Sequence, residues 1–194
     1  MEVNILLFDD FDSMDAFGAA EVFGRAPEYF HINYLSLTGN IVNSMQGIKV
    51  WTEPMEPDEI QGIVVIPGGR GARRLLFQDS ESLRLIRRAV DRAEICMMVS
   101  NGSAIPAQTG VLFRRKIAEC RTDANWKRMF MAGVSTVEEA GWVADGKFYS
   151  SSDTMTGIAM ALGIVADQAD YDAACRIAEQ IGYDWNAEDE SFYQ

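Results

Sequence analysis

One stretch of this chain has the residue order of a nucleophile elbow. The apolar run Ile95-Cys96-Met97-Met98-Val99 leads directly into Ser100-Asn101-Gly102-Ser103, and a helical pattern follows. A strand that turns abruptly into a helix throws the side chain at the bend out above the sheet, and small residues are needed for so sharp a turn. Gly102 meets that need, and Ser100 is the side chain presented. A helix starting behind Ser100 would favour negative charge there. The usual Gly-x-Ser-x-Gly spelling is absent, because Met98 occupies the first glycine position. Two further segments break where an apolar run ends, Asp9 to Asp15 and Pro67 to Arg73. Taken singly, each of the three also has a plain structural reading as a helix cap or a tight turn.

The elements that must position these residues follow from the hydrophobic pattern. Val3 to Phe8 and Ile63 to Ile66 are short apolar runs, as expected of strands buried on both faces of a parallel sheet. Met14, Phe17, Ala20 and Val22-Phe23 have helical spacing that Pro27 ends. His31 to Leu37 alternates as a strand, and Gly47 to Trp51 adds a hairpin arm. A helix is expected from about Ser80 to Arg92, and another after Ser103 that finishes near Gly110. Ile117 to Cys120 reads as a short strand, and Val134 to Phe148 as a strand pair about Asp145-Gly146. Thr154 to Ala166 and Tyr171 to Ile181 are the last helices, and Glu188-Asp189-Glu190 a solvated acidic tail. This alternation predicts the α/β class: a flavodoxin-like, doubly wound, mostly parallel sheet sandwiched by helices, one domain over residues 1–194. Ligands of such sheets bind beyond the carboxyl ends of the strands, near the point where the strand order reverses. All three broken segments fall there.

Composition narrows the function further. Against 29 Asp and Glu stand 17 Lys and Arg, a formal net charge of −12 in 194 residues. That balance repels phosphate backbones, and Arg114-Arg115-Lys116 reads as a helix-end turn, so nucleic acid is not an expected partner. No run approaches the roughly 18–20 apolar residues that span a bilayer, so no membrane segment is expected. The start Met1-Glu2-Val3-Asn4 lacks the positive residues of a secretory signal. Cys96, Cys120 and Cys175 are odd in number and widely spaced, which argues against a disulfide framework and a zinc site. A reducing cytoplasm is the expected location. Gly68-Gly69-Arg70-Gly71 lacks the Lys-Ser/Thr ending of a phosphate loop, so neither metal nor cofactor is expected. The single histidine, His31, lies within a strand pattern rather than at a strand's carboxyl end.

Several blocks, in order, carry a family resemblance: Ile5 to Asp15 with Glu21-Val22-Phe23, Val64 to Gly69, Val99 to Ser103, Gly110-Val111-Leu112, Asp145 to Ser152, and Thr156-Gly157-Ile158. On these the chain resembles the ThiJ/PfpI superfamily, of the class I glutamine amidotransferase-like fold. It is closest in flavour to the isonitrile hydratases and the sensor-like domains of AraC-type regulators. The resemblance implies a homodimer and a cysteine at the elbow, hydrogen-bonded to a poised acid from the first loop. The matching residues here are Ser100 and Asp15. It also implies an oxyanion pocket at the backbone after Gly69, so at Arg70, and at Asn101, with Gly102 in the turn. Relatives often place a histidine in the short strand after the elbow helix, where this chain has Cys120. In place of a small Ser-Ala-Gly turn stands Ser151-Ser152-Asp153, which would set the Asp153 carboxylate near the pocket mouth, against anionic ligands.

These departures have chemical weight. A thiol with pKa near 8.5 can be ionised by a helix end or a nearby charge. A serine hydroxyl is far harder to ionise and normally needs a partner base. Serine also cannot climb the thiol oxidation ladder, so the oxidation sensing of cysteine-bearing relatives is lost at this position. Three readings remain open. The first is a family member without the usual cysteine chemistry that binds a small neutral or cationic molecule, or a protein partner. In the second, Asp15 and Ser100 add water to a small electrophile such as an isonitrile. The third is a serine amidase or protease-like hydrolase.

Overall fold

A computed structural model of the chain describes residues 1–78, 80–120, 126, 128–186 and 191–193. The acidic stretch Glu188-Asp189-Glu190 falls outside the described residues. In chain order the elements are β1 (Glu2–Leu6), α1 (Ser13–Gly24), β2 (His31–Ser36), β3 (Asn40–Asn43), β4 (Lys49–Pro54) and β5 (Ile63–Ile66). Then come α2 (Arg70–Gln78), α3 (Ser80–Arg92), β6 (Ile95–Met98), α4 (Ala104–Thr109), β7 (Lys116–Ala118) and β8 (Ser135–Val137). The last are β9 (Trp142–Asp145), β10 (Phe148–Ser151), α5 (Thr154–Gln168), α6 (Tyr171–Ile181) and β11 (Ser191–Tyr193).

Among the described residues nine strands form one sheet in the order β11-β9-β10-β6-β5-β1-β2-β4-β3. Every neighbouring pair is parallel except β9 with β10 and β3 with β4, which are antiparallel. The chain starts at the centre, winds outward through β2, then returns to β5 and winds the other way. Order therefore reverses between β1 and β5, as in flavodoxin-like sheets. The inner strands β5 and β6 are buried at every residue. Helices cover both faces there, which is why these strands read as unbroken apolar runs. On one face α1, α5 and α6 pack together; α2, α3 and α4 group on the other.

Local chemistry sets the helix starts nearest the strand ends. Asp12 caps α1, its carboxylate accepting from the Met14 amide at 3.0 Å. Asp153 caps α5 in a reciprocal box with Thr156, the arrangement that satisfies two otherwise orphaned amides. The short α4 follows a single 3₁₀ turn over Ser100–Ser103 and stops at Gly110, whose φ of +84° is left-handed. Pro106 lies in its first turn, where the missing N–H costs nothing, and the left-handed Gly110 ends it after six residues. The helix α2 is an addition to the sequence expectation, which placed only a turn at Pro67–Arg73. A second small sheet pairs β7 with β8. It lies against β10, where Ser150 Oγ accepts from the Ala118 amide at 2.9 Å.

Candidate functional site

The loops that leave β1, β5 and β6 are tied to one another by backbone hydrogen bonds. Asp12 N–H donates to Gly68 O at 2.8 Å, Gly71 N–H to Asp10 O at 3.0 Å, and Val99 N–H to Ile66 O at 3.0 Å. At Gly68 all three loops crowd together. A Cβ there would sit 2.6 Å from Asp15 Oδ2 and 2.4 Å from Asn101 Oδ1, so only hydrogen fits. The three loops thereby become one rigid platform, with a cavity of about 530 Å³ above it. Asp12, Asp15, Met45, Gly69, Arg70, Arg73, Ser100, Asn101, Trp126 and Thr154 line that cavity.

Ser100 has the backbone of an elbow. Its φ of +54° lies in the left-handed region, which a residue with a Cβ enters at a cost of about 1–2 kcal/mol. The surroundings hold it there. Val99 is paired to Ile66, and Gly102 presses so close to the preceding loop that an added Cβ would lie 2.5 Å from Ile66 O. Ser100 Oγ lies 3.6 Å from Cys120 Sγ, a contact made because β7 is pinned to β10 two residues before Cys120. The thiol is buried, 1% exposed. So the position where relatives are expected to carry histidine does meet the elbow side chain, with sulfur in place of imidazole.

Asp15 is buried at 3% exposure beneath the cavity floor. Its Oδ2 accepts from the Gly68 amide at 3.0 Å, and its Oδ1 accepts from the Thr154 hydroxyl at 2.5 Å. Loss of water around the carboxyl pushes its pKa up from the ordinary 3.8 to about 6. The two hydrogen bonds pull the other way, while the Asp12 and Asp153 carboxylates add to the rise. Asp15 was expected to bond to the elbow side chain; among the described residues its partners are Gly68 and Thr154 instead.

Asn101 has a bracing role that the sequence did not show. Its Oδ1 accepts from the Gly69 amide at 2.8 Å, and its Nδ2 donates to Gly69 O at 3.4 Å. The Gly69 amide is therefore occupied, and the donor next to it is that of Arg70, the first amide of α2, which has no acceptor within its own helix. Gly102 supports the turn from behind and is not part of the cavity wall. Asp153 is engaged by Thr156, and the neighbour that faces the cavity is Thr154. The sequence reading did not single out Thr154, Asp12, Met45, Trp126 or Arg73. Recognition of α2 as a helix would have exposed Arg73, since i and i+3 from Arg70 share a face. His31 is exposed at the amino end of β2, away from the carboxyl ends that carry the site. Cys96 is sealed within β6, and burial pushes its thiol up to about 12.

The family model for the DJ-1/PfpI family matches residues 1–167. The chain belongs to the DJ-1/PfpI family. Solved structures agree on the fold. An AraC family transcriptional regulator from Pseudomonas putida superposes with a TM-score of 0.80 at 18% identity, covering 93% of this chain and 98% of its own. A ThiJ/PfpI family protein from Pseudomonas syringae gives 0.80 at 22% identity, covering 95% of this chain and 76% of that one. DJ-1beta from Drosophila melanogaster gives 0.81 at 19% identity, covering 95% and 98%. Among curated proteins none matches. Among the described residues of this DJ-1/PfpI chain, no group of three or more His, Cys, Asp or Glu side chains is placed to hold a metal, and no helix is long and apolar enough to cross a membrane.

Proposed function

We propose that this DJ-1/PfpI chain binds a small molecule in the elbow cavity and does not perform thiol chemistry there. The observation that carries this reading is the engagement of Asp15. Both of its oxygens are held by Gly68 and Thr154, so the poised acid is bonded to the scaffold while a serine stands at the elbow. A hydroxyl needs a base to become a nucleophile. Acyl transfer in the manner of a serine hydrolase finds no histidine here, because His31 lies at the opposite end of the sheet.

A second reading has one observation in its favour. A carboxyl raised to about 6 can exchange protons near neutrality, which suits acid–base addition of water to a small electrophile such as an isonitrile. The two readings separate in one experiment: hydration of an aryl isonitrile by the wild-type protein and by Ser100→Cys, side by side under reductant. Turnover by Ser100→Cys alone supports a binding protein whose pocket is intact. Turnover by the wild type that falls in Asp15→Asn overturns the first reading and establishes the second. Silence from both removes isonitriles from consideration and leaves binding to be read by ligand-induced thermal stabilisation.

A further inference from the structure

We infer that Arg70 and Arg73 form a carboxylate-binding subsite at the mouth of the elbow cavity, and hence that the ligand is a small carboxylic acid. This rests on the reading of the cavity as a small-molecule site and goes beyond it in naming the charge and chemical class. It also revises the expectation of a neutral or cationic ligand, which rested on Asp153.

Three arginines occupy the first five residues of α2: Arg70, Arg73 and Arg74. Arg74 is neutralised by a direct ion pair with Asp10. Arg70 stands at the margin of the same carboxylate, 3.8 Å away, with its side chain 70% exposed. Arg73 has no carboxylate within ion-pairing distance among the described residues. Its guanidinium lies 5.8 Å from the centre of the Trp126 ring. Attraction of the cation to the ring face helps to hold it there, and its N–H donors remain suited to a planar acceptor. Arg70 and Arg73 both line the cavity and stand three residues apart, which places them as neighbours on one helical face. Asp153, meanwhile, is bound into the α5 cap and is not part of the cavity wall.

The same cavity disfavours more highly charged anions. Asp12 and Asp15 also line it, so a phosphate dianion there would meet about twice the like-charge repulsion that a single carboxylate does. A single carboxylate matches the planar fork of arginine and carries half that charge. Met45 and Trp126 line the same cavity, so the body of the acid has apolar surface to lie against. Ser100 lines the same cavity.

The test uses phenylacetate and its neutral counterpart phenylacetamide, at millimolar concentration, by calorimetry and thermal stabilisation of the full chain. Phenylacetate is expected to bind at least about tenfold more tightly than phenylacetamide, and Arg73→Gln and Arg70→Gln are each expected to remove most of that preference. Both arginines are exposed, and the melting point of the unliganded variants checks that the fold is intact. Equal binding of the two compounds, or a preference that survives the double substitution, overturns the subsite while leaving the small-molecule reading in place. Binding of neither compound also overturns the subsite, and the small-molecule reading is then decided by the thermal-stabilisation measurement with other compounds. Tighter binding of inorganic phosphate than of phenylacetate, lost in the same variants, overturns the carboxylate assignment in favour of a phosphoryl group.

Discussion

Replacement of Asp15 by Asn places two effects in opposition, and their sizes decide the sign. Burial raises the carboxyl from 3.8 to about 6, so at neutral pH the folded protein holds a carboxylate in an environment that prefers the acid. At about 1.4 kcal/mol for each tenfold change in an equilibrium constant, that preference is on the order of 3 kcal/mol. The amide of Asn carries no charge and removes it. Against this, an amide offers one acceptor oxygen where the carboxylate offered two, so either the Gly68 or the Thr154 hydrogen bond is lost, at about 1 kcal/mol. Asp15→Asn is therefore expected to stabilise the protein at pH 7.5 by about 2 kcal/mol. The advantage has a defined pH window. Between 3.8 and about 6 the folded state binds the proton that the unfolded state has released, so wild-type stability falls as pH rises through that interval. Below about pH 4 both proteins are neutral at this position and the advantage disappears. Urea unfolding followed by tryptophan fluorescence, at about pH 4, 5, 6 and 7.5, measures the difference directly. Parallel pH profiles for the two proteins would refute the assignment of the buried charge to Asp15. A gain in stability combined with a loss of ligand binding would show that the buried charge is kept for function.

Other outcomes follow from the same geometry. Gly68→Ala would put a methyl group 2.4 Å from Asn101 Oδ1 and 2.6 Å from Asp15 Oδ2, and is expected to cost about 1–3 kcal/mol in chemical denaturation and to abolish ligand binding. Thr154→Val removes a hydroxyl that lowers the Asp15 pKa, so the carboxyl is expected to titrate above 6 in a carbon-detected NMR titration, with wild-type behaviour restored by Thr154→Ser. Native thiol labelling should show one fast cysteine, the exposed Cys175, with Cys96 and Cys120 reacting only on unfolding; Cys175→Ser should abolish the fast phase.

The fold was legible wherever burial was two-sided or periodicity was clean. Ile63–Ile66 and Ile95–Met98 read as strands because no polar residue interrupts them, and α6 was found at its observed bounds because apolar Ala173, Ala174, Ile177 and Ala178 keep helical spacing. The start of α2 was not legible, because glycine there obeys packing rather than helix propensity. A Cβ on Gly71 would collide with Asp9 O at 1.9 Å, so a residue that reads as a loop former is required inside a helix. With α2 unread, Arg73 had no face to share with Arg70. Asp15 was visible from its place in the first loop, but its partner Thr154 is 139 residues away, and a pairing over that distance has no local signature. The contact between Ser100 and Cys120 likewise depends on how β7 docks against β10, a tertiary fact that spacing alone does not contain.

The 3.6 Å approach of a serine oxygen to a cysteine sulfur has a consequence for how this pocket meets its surroundings. Two thiols so placed would need only a modest rotation to reach bonding distance, and an oxidant would lock them together across the cavity floor. A hydroxyl and a thiol have no such bond available. With serine at position 100, no disulfide with Cys120 is available, and the closure that an oxidant would impose on a dithiol version of this site cannot occur.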